Sequence, residues 1–411
     1  MDEVKSILFI SYDGMTDPLG QSQVLPYLKG LSAAGYKVNL ISCEKKERFS
    51  QFHTTIQVIC DEANINWHPI NYTKKPPLFS TIWDIRQITK KAKEIYETQP
   101  FQLVHCRSYI AALVGFKLKN KFGIKLLFDM RGFWADERVD GNIWNLKNPI
   151  YRLIYNYFKR KERQFLEHSD HIISLTQNGK NELLSWGLKN VSENKITVIP
   201  CCVDLELFNK RNLNSDIIQQ KKIELNFQES DYIVGYVGSI GTWYMLPEML
   251  DYFKAVKRNK PTAKFLFVTG EAPHLIHKHA LEKKIQLKDI IVTSCQHKEV
   301  PYYISLFNES VFFIRPSYSK KASSPTKQGE IMAMGIPLVC NAGVGDTDII
   351  VERYQSGSIV RSFTTQSYQE IAQTKIPFDQ VTTQNGALEF FSLNEGVEKY
   401  KMVYLSLLDQ P

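Results

Sequence analysis

The chain lacks any apolar run of the roughly 18 residues that a membrane-crossing helix needs, and its opening "MDEVKSILFISYDG" reads as a strand rather than a signal peptide. A cytoplasmic location is the expectation. It has no CxxC pair. The seven cysteines (43, 60, 106, 201, 202, 295 and 340) are odd in number and mostly lie in apolar runs, which argues against a disulfide framework or a zinc ribbon and for reduced, buried thiols. Strong charge of one sign is missing too. Fifty-one basic and 43 acidic residues leave +8, a mild bias that suits anionic ligands or a membrane surface. No base-reading module accompanies it, so nucleic acid is not an expected partner. Neither glycine loop is a GxGxxG, so a dehydrogenase-type dinucleotide site is not expected. The histidines of "HLIHKH" (274–279) have no acidic or thiol companion, so no metal site is expected. Repeats and low-complexity segments are absent.

What is present is alternation. At 411 residues and 43% apolar, the chain suits two domains of about 200 residues each. Continuous apolar runs at 6–12, 37–42, 101–106, 124–130 and 171–176 read as buried strands separated by helical stretches, and "KITVIPCC" closes this half. A second series runs through 232–239, 263–270, 289–294, 310–317, 337–342 and 357–362. The reading is α/β, with two Rossmann-like doubly wound parallel-sheet domains facing an interdomain cleft. It assigns 1–205 to an N-terminal acceptor-side domain, 206–385 to a C-terminal ligand-binding domain, and 386–411 to a C-terminal helix packing back on the first domain.

Ligands of open parallel sheets bind beyond the carboxyl ends of the strands, so residues just after strands are the candidates. "DGMTDPLGQSQ" (13–23) offers Gly14 and Gly20 for close backbone approach before a helix expected near Ser22; an ordinary strand-to-helix turn is the plainer alternative. "LVHCRSY" brings His105 and Arg107 to a strand end, although a lone histidine more often fills space under a loop. "FDMRGFWADERVDG" gathers Asp129, Arg131, Asp136, Glu137 and Arg138 around Phe133 and Trp134. That mixture suits a sugar pocket or a salt-bridged loop. The aromatic, basic helix at 151–168 suits an anionic membrane surface, or, more commonly, the cover of a sheet.

In the second half, Gly238, Ser239 and Gly241 follow a strand and again permit close approach to a phosphate. "IRPSYSKKASSPTKQGE" then leads into a helix. Ser323, Ser324 and Thr326 lie at its start, Lys327 adds a charge, and Glu330 stands one turn in, where a carboxylate can accept two hydroxyl hydrogen bonds. The set asks for a ligand with a diphosphate near the helix start and a vicinal diol near the acid. A nucleoside diphosphate sugar has both.

With these residues in view, the chain resembles the retaining glycosyltransferases of GT-B architecture, close to glycosyltransferase family 4. The likeness runs from "ISYDGMTDPLGQSQ" through "DMRGFWADE" and "YVGSIGTWYM" to "SSPTKQGEIMAMGIPLVCNAGVGD", the most specific block. It implies that Glu330 binds the donor ribose and that the protein needs no cofactor beyond its nucleotide diphosphate sugar. Family members usually carry a second glutamate eight residues earlier; here that position is Ala322, with Ser323 and Ser324 beside it. The family's Arg and Lys after the "GYVG"-like strand are replaced by Ser239 and the pair Trp243 and Tyr244, which leaves Lys327 and Arg315 to supply the charge. A family histidine near the acceptor falls on Arg107, so His105, Arg107 and Lys327 carry the expected catalytic role. Gly20, Gly238 and Ser239 join the donor set, and Arg131, Trp134, Asp136 and Glu137 the acceptor set. The implied partners are a nucleotide-sugar donor and a lipid-linked or saccharide acceptor, with peripheral contact at the inner face of a membrane. The rivals are an epimerase or hydrolase of the same architecture and a catalytically silent binding subunit.

Overall fold

A computed structural model describes residues 5–76 and 78–409. The chain divides into two units. One takes the described residues up to Pro200, Lys321–Ser323 and the described residues from Leu393; the other takes Cys201–Lys320 and Ser324–Ser392.

In the first unit, β1 (Ser6–Ser11), β2 (Lys37–Glu44), β3 (Ile65–Asn71), β4 (Leu103–Arg107), β5 (Lys125–Asp129), β6 (His171–Ser174) and β7 (Ile196–Val198) form one sheet. Their order is β3-β2-β1-β4-β5-β6-β7, and every pair is parallel. The central strands are mostly apolar because helices cover both faces; Ile7, Leu8 and Ile10 are wholly buried. β3 has no counterpart in the sequence reading. It is an edge strand with only part of its length buried, and it contains Pro69, tolerated there because an edge position does not demand every N–H.

Helices Phe79–Thr98, Ser108–Phe122 and Pro149–His168 follow β3, β4 and β5. Each crossover moves the same way across the sheet, so the right-handed rule puts all three on one face, starting at the carboxyl edge. Neighbours among them are in contact. The last helix, Leu393–Leu408, packs on helix Leu25–Ala33; a Cβ at Gly30 would come within 2.6 Å of Val397.

In the second unit, β8 (Tyr232–Val237), β9 (Ala263–Val268), β10 (Ile290–Thr293), β11 (Glu309–Phe312), β12 (Leu338–Asn341) and β13 (Gly357–Val360) run parallel in the order β10-β9-β8-β11-β12-β13. Six of the seven cysteines are buried, and all are free thiols. No helix among the described residues is long and apolar enough to cross a membrane.

Candidate functional site

Helix Thr326–Ala333 follows β11 after a connection (313–325) that includes the 3-10 turn Tyr318–Ala322, at the carboxyl edge of the second sheet. Pro325 precedes it, and no side chain caps its first N–H groups. Every residue from Lys327 to Ala333 is buried, yet two of these carry charge. Glu330 lies one turn inside the helix, and His297, from the segment after β10, approaches its carboxylate to 3.5 Å. That contact raises the His297 pKa against the opposing effect of burial.

The Lys327 ammonium is buried with no hydrogen-bond partner. It lies 4.0 Å from the ring centre of Tyr236 and 3.6 Å from that of Tyr244. Burial pushes its pKa well below the ordinary lysine value, while Glu330 pulls the other way. Both tyrosines are held neutral by burial and offer ring faces rather than charge. Just after β8, Gly238 stands at φ +97°; a Cβ built there would stand 3.4 Å from Lys327 Nζ. Glycine is therefore needed for the backbone turn, and it brings that turn onto the lysine.

Ser239, next in the turn, donates its hydroxyl to Glu271 (3.0 Å), and the N–H of Gly241 donates to the same oxygen (3.3 Å). The turn thus already receives an anion. Trp243 is flanked by Lys320 at 3.7 Å and Arg315 at 5.0 Å. The Ser324 hydroxyl accepts from the Cys201 N–H at 3.2 Å, and Thr326 is half-buried at the helix start. The structure therefore brings Gly238, Ser239, Ser324, Thr326, Lys327 and Glu330 together in one unit. Ser323 groups with the first unit, as does Ala322, which is buried in that unit's apolar cluster.

In the first unit the carboxyl ends of β1, β4 and β5 hold a chain of charges. Arg107 bonds Asp13 through its guanidinium. Arg131, at φ +58°, stands 3.7 Å from Asp129. Burial raises the Asp129 pKa, but Arg131, His105 and Arg107 outweigh it and hold the carboxyl below its usual range. Tyr400, from the last helix, donates to the same carboxylate at 3.0 Å.

Three expectations need correction here. His105 does not face a ligand: it is 1% exposed, its Nδ1 is 2.8 Å from the Tyr404 hydroxyl, and its ring packs on Phe9 and Tyr400. Burial lowers its pKa, so it is a neutral core histidine. Asp136 is turned inward, with its oxygens taken by Tyr155 and Lys159 at 2.8 Å each. The helix at Gly20 starts earlier than expected. It spans Pro18–Gln23 rather than starting near Ser22, and a Cβ at Gly20 would strike the Gly14 carbonyl at 2.2 Å. Of the other acceptor candidates, Trp134 is half-buried among Tyr109, Trp144 and Phe158, with Arg138 over its ring. Glu137 and Arg131 are half-buried.

Sequence reasoning missed Glu44. Its buried carboxylate accepts from the N–H of Met15 (2.7 Å), the N–H and hydroxyl of Thr16 (3.1 and 2.5 Å) and the hydroxyl of Ser42 (2.5 Å). It is the anchor of the loop after β1. An acid ending the apolar strand "KVNLISCE" was the available signal. His297, Glu271, Tyr400 and Tyr404 left no comparable trace.

Two parallel α/β units, the second with an acid and an orphan lysine at an open helix start, define a class: the GT-B glycosyltransferase fold. Comparison with known proteins agrees. The profile of Glycosyltransferase Family 4 matches residues 21–207, and that of Glycosyl transferases group 1 matches 217–373. The chain has the GT-B glycosyltransferase fold and resembles family 4. A D-inositol 3-phosphate glycosyltransferase of Segniliparus rotundus is 25% identical over 283 residues, covering 67% of this chain; the chain spans 59% of that relative's length. Among solved structures, the sucrose-phosphate synthase of Thermosynechococcus elongatus superposes with a TM-score of 0.71 at 16% identity, over 98% of this chain and 99% of that one. HepE of Anabaena, in complex with UDP-glucose, has a TM-score of 0.71 at 14% identity, over 98% and 100%.

Proposed function

We propose that this protein transfers a glycosyl group from a nucleoside diphosphate sugar to an acceptor hydroxyl with retention of anomeric configuration, in surface polysaccharide or glycolipid assembly. One observation carries the reading: Glu330 and the partnerless Lys327 share an uncapped helix start beneath the Gly238 turn. A buried ammonium without an anion is unfavourable by itself and becomes favourable once a diphosphate arrives. The curated relative's name and the UDP-glucose bound to HepE support a donor of this type.

In this reading Glu330 accepts the two ribose hydroxyls. Lys327, the open helix start, Ser324 and Thr326 receive the diphosphate. The acceptor oxygen bonds to the anomeric carbon on the face the diphosphate leaves, the carbon–oxygen bond to phosphate breaks, and the acceptor proton passes to the departing phosphate oxygen. Fixed positive groups stabilise the charge that grows there, without a metal. Arg131 and Glu137 serve the acceptor, Arg107 positions Asp13 near them, and the protein works in the cytoplasm at the inner face of a membrane.

The test is a thermal-shift screen with UDP-, GDP- and other activated sugars, followed by NMR of the product anomer. A stabilising donor and a retained anomer support the reading. Epimerised or free sugar formed without acceptor would replace it with the epimerase or hydrolase, and binding without turnover on any acceptor with the silent subunit.

A further inference from the structure

The second unit holds a cavity that the donor does not use. It lies at the amino edge of the sheet, where β8 starts with Tyr232 and β11 with Glu309. Lys327 and Glu330 stand at the carboxyl edge, a strand's length away; β8 at about 3.3 Å per residue spans about 20 Å. Tyr252, Val256 and Lys260 follow at four-residue steps along helix Leu246–Asn259 and its C-cap, so one stripe of that helix forms a wall. Ile371 and Ala372, at the end of helix Thr365–Gln373, form another with Ile376 and Phe378 beyond it. The space is about 270 Å³, just below the range that suits drug-sized ligands.

Glu309 is 2% exposed, yet it lines this space. Tyr232 donates to one of its oxygens at 2.9 Å and Tyr252 to the other at 3.0 Å. A carboxylate offers about four acceptor positions, so about two remain. Among the described residues no cation comes within ion-pair distance of it. Burial pushes its pKa up, against the hydrogen bond from Tyr232, the charge of Lys260 and the hydrogen bond from Tyr252. A buried acid in this position is costly until a cation meets it. The outer lining carries the opposite charge. Half-buried Lys260 holds its ammonium 3.4 Å from the centre of the Tyr232 ring, and Lys375 is exposed on the segment after helix Thr365–Gln373.

We infer that this cavity binds a small zwitterion with an aliphatic body, in chemical class an amino acid. Its ammonium meets Glu309, its carboxylate meets Lys260 and Lys375, and its carbons lie against Val256, Ile371 and Ile376. A simple organic cation is disfavoured by the two lysines, and a simple anion by Glu309. A sugar would set hydroxyls against an aliphatic wall. A divalent metal lacks ligands, since among the described residues no three His, Cys, Asp or Glu side chains cluster. No residue given to the donor lines the cavity, so the site is independent of the transfer reading.

Thermal shift and titration calorimetry of the full chain test it, with leucine, 6-aminohexanoate, hexylamine and hexanoate as probes. The first two carry both charges, close together in leucine and at opposite ends in 6-aminohexanoate; the last two carry one each. At least one zwitterion is expected to bind, about tenfold or more tightly than either singly charged probe. Glu309→Gln should weaken that binding about tenfold or more. Ala372→Phe fills the cavity and leaves Glu309 in place, and it should weaken binding as much. Lys260→Gln with Lys375→Gln should erase the advantage over hexylamine. Leu388→Ser, at an exposed leucine of the second unit, should change nothing. A cooperative urea transition in each variant shows that it is folded; where Glu309→Gln fails that check, Ala372→Phe decides. Neither zwitterion binding, hexylamine or hexanoate binding as tightly, or zwitterion binding that persists in the folded variants would each overturn the inference.

Discussion

The ammonium of Lys327 lies 3.6 Å from the centre of the Tyr244 ring, buried and without a hydrogen-bond acceptor. An aromatic face offsets only part of the cost of removing a cation from water. The arrangement is costly in the free protein, and an anion placed beside the ammonium would offset that cost.

Lys327→Met should therefore act in opposite directions on stability and binding. Removing the amine should stabilise the unliganded chain by about 1–3 kcal/mol in chemical denaturation. Donor affinity, read by titration calorimetry, should fall at least about tenfold, or ~1.4 kcal/mol. A variant that keeps wild-type affinity would dissociate Lys327 from the donor.

The two shifted groups near Glu330 set a pH dependence. The folded-state pKa of Lys327 lies below its unfolded value, so the lysine is discharged in the free protein at a lower pH than an ordinary lysine. A bound diphosphate draws the proton back, so binding takes up protons and weakens as pH rises through the Lys327 range. The pKa of His297 is raised by Glu330. That pair's contribution to stability is fully present below the unfolded histidine value and is lost as pH rises through the folded one. While it lasts, the pair competes with ribose hydroxyls for Glu330, so binding weakens as pH falls through the His297 range. Donor affinity should peak between the two, and His297→Gln should abolish the acid limb alone. Affinity measured across pH in both proteins decides this.

Glu44→Gln keeps the shape of the buried anchor but places an amide where four donors converge. At least one N–H is left facing another donor, at a cost of about 1–3 kcal/mol. Urea denaturation should show that loss. Faster hydrogen exchange at Met15 and Thr16 should place it in the loop after β1.

Tyr400→Phe removes one donor from the buried Asp129 carboxylate. A loss of about 1.5–3 kcal/mol is expected for a hydrogen bond to a charged group. If Asp129 holds Arg131 for the acceptor, the acceptor KM should rise while the donor KM stays as it was.

Treatment with EDTA, followed by assay with and without added magnesium, should leave the transfer rate unchanged if Lys327 and the helix start carry the diphosphate charge. A loss that magnesium restores would assign that charge to a cation.

Much of the architecture was legible because it is written locally. Runs such as "ILFI" and "FLFV" are apolar without alternation, as a strand buried on both faces requires. β3 escaped because an edge strand is half-exposed and carries Pro69. The helix holding Glu330 was readable from the motif that starts it. The direction of His105 was not: one residue at a strand end looks the same whether it faces solvent or the last helix. Asp136 was misread for a similar reason, since Tyr155 and Lys159 meet it only after the following helix folds back.

The amino-acid order by itself determined the two parallel sheets and the acid and lysine set one turn apart, because backbone sterics and burial periodicity act over a few residues. Only tertiary structure decided which charges became partners. Tyr400 reaches Asp129 across 271 positions of chain, and His297 reaches Glu330 from another strand's end. Such meetings depend on strand order and on the packing of distant helices, which no short window of sequence contains.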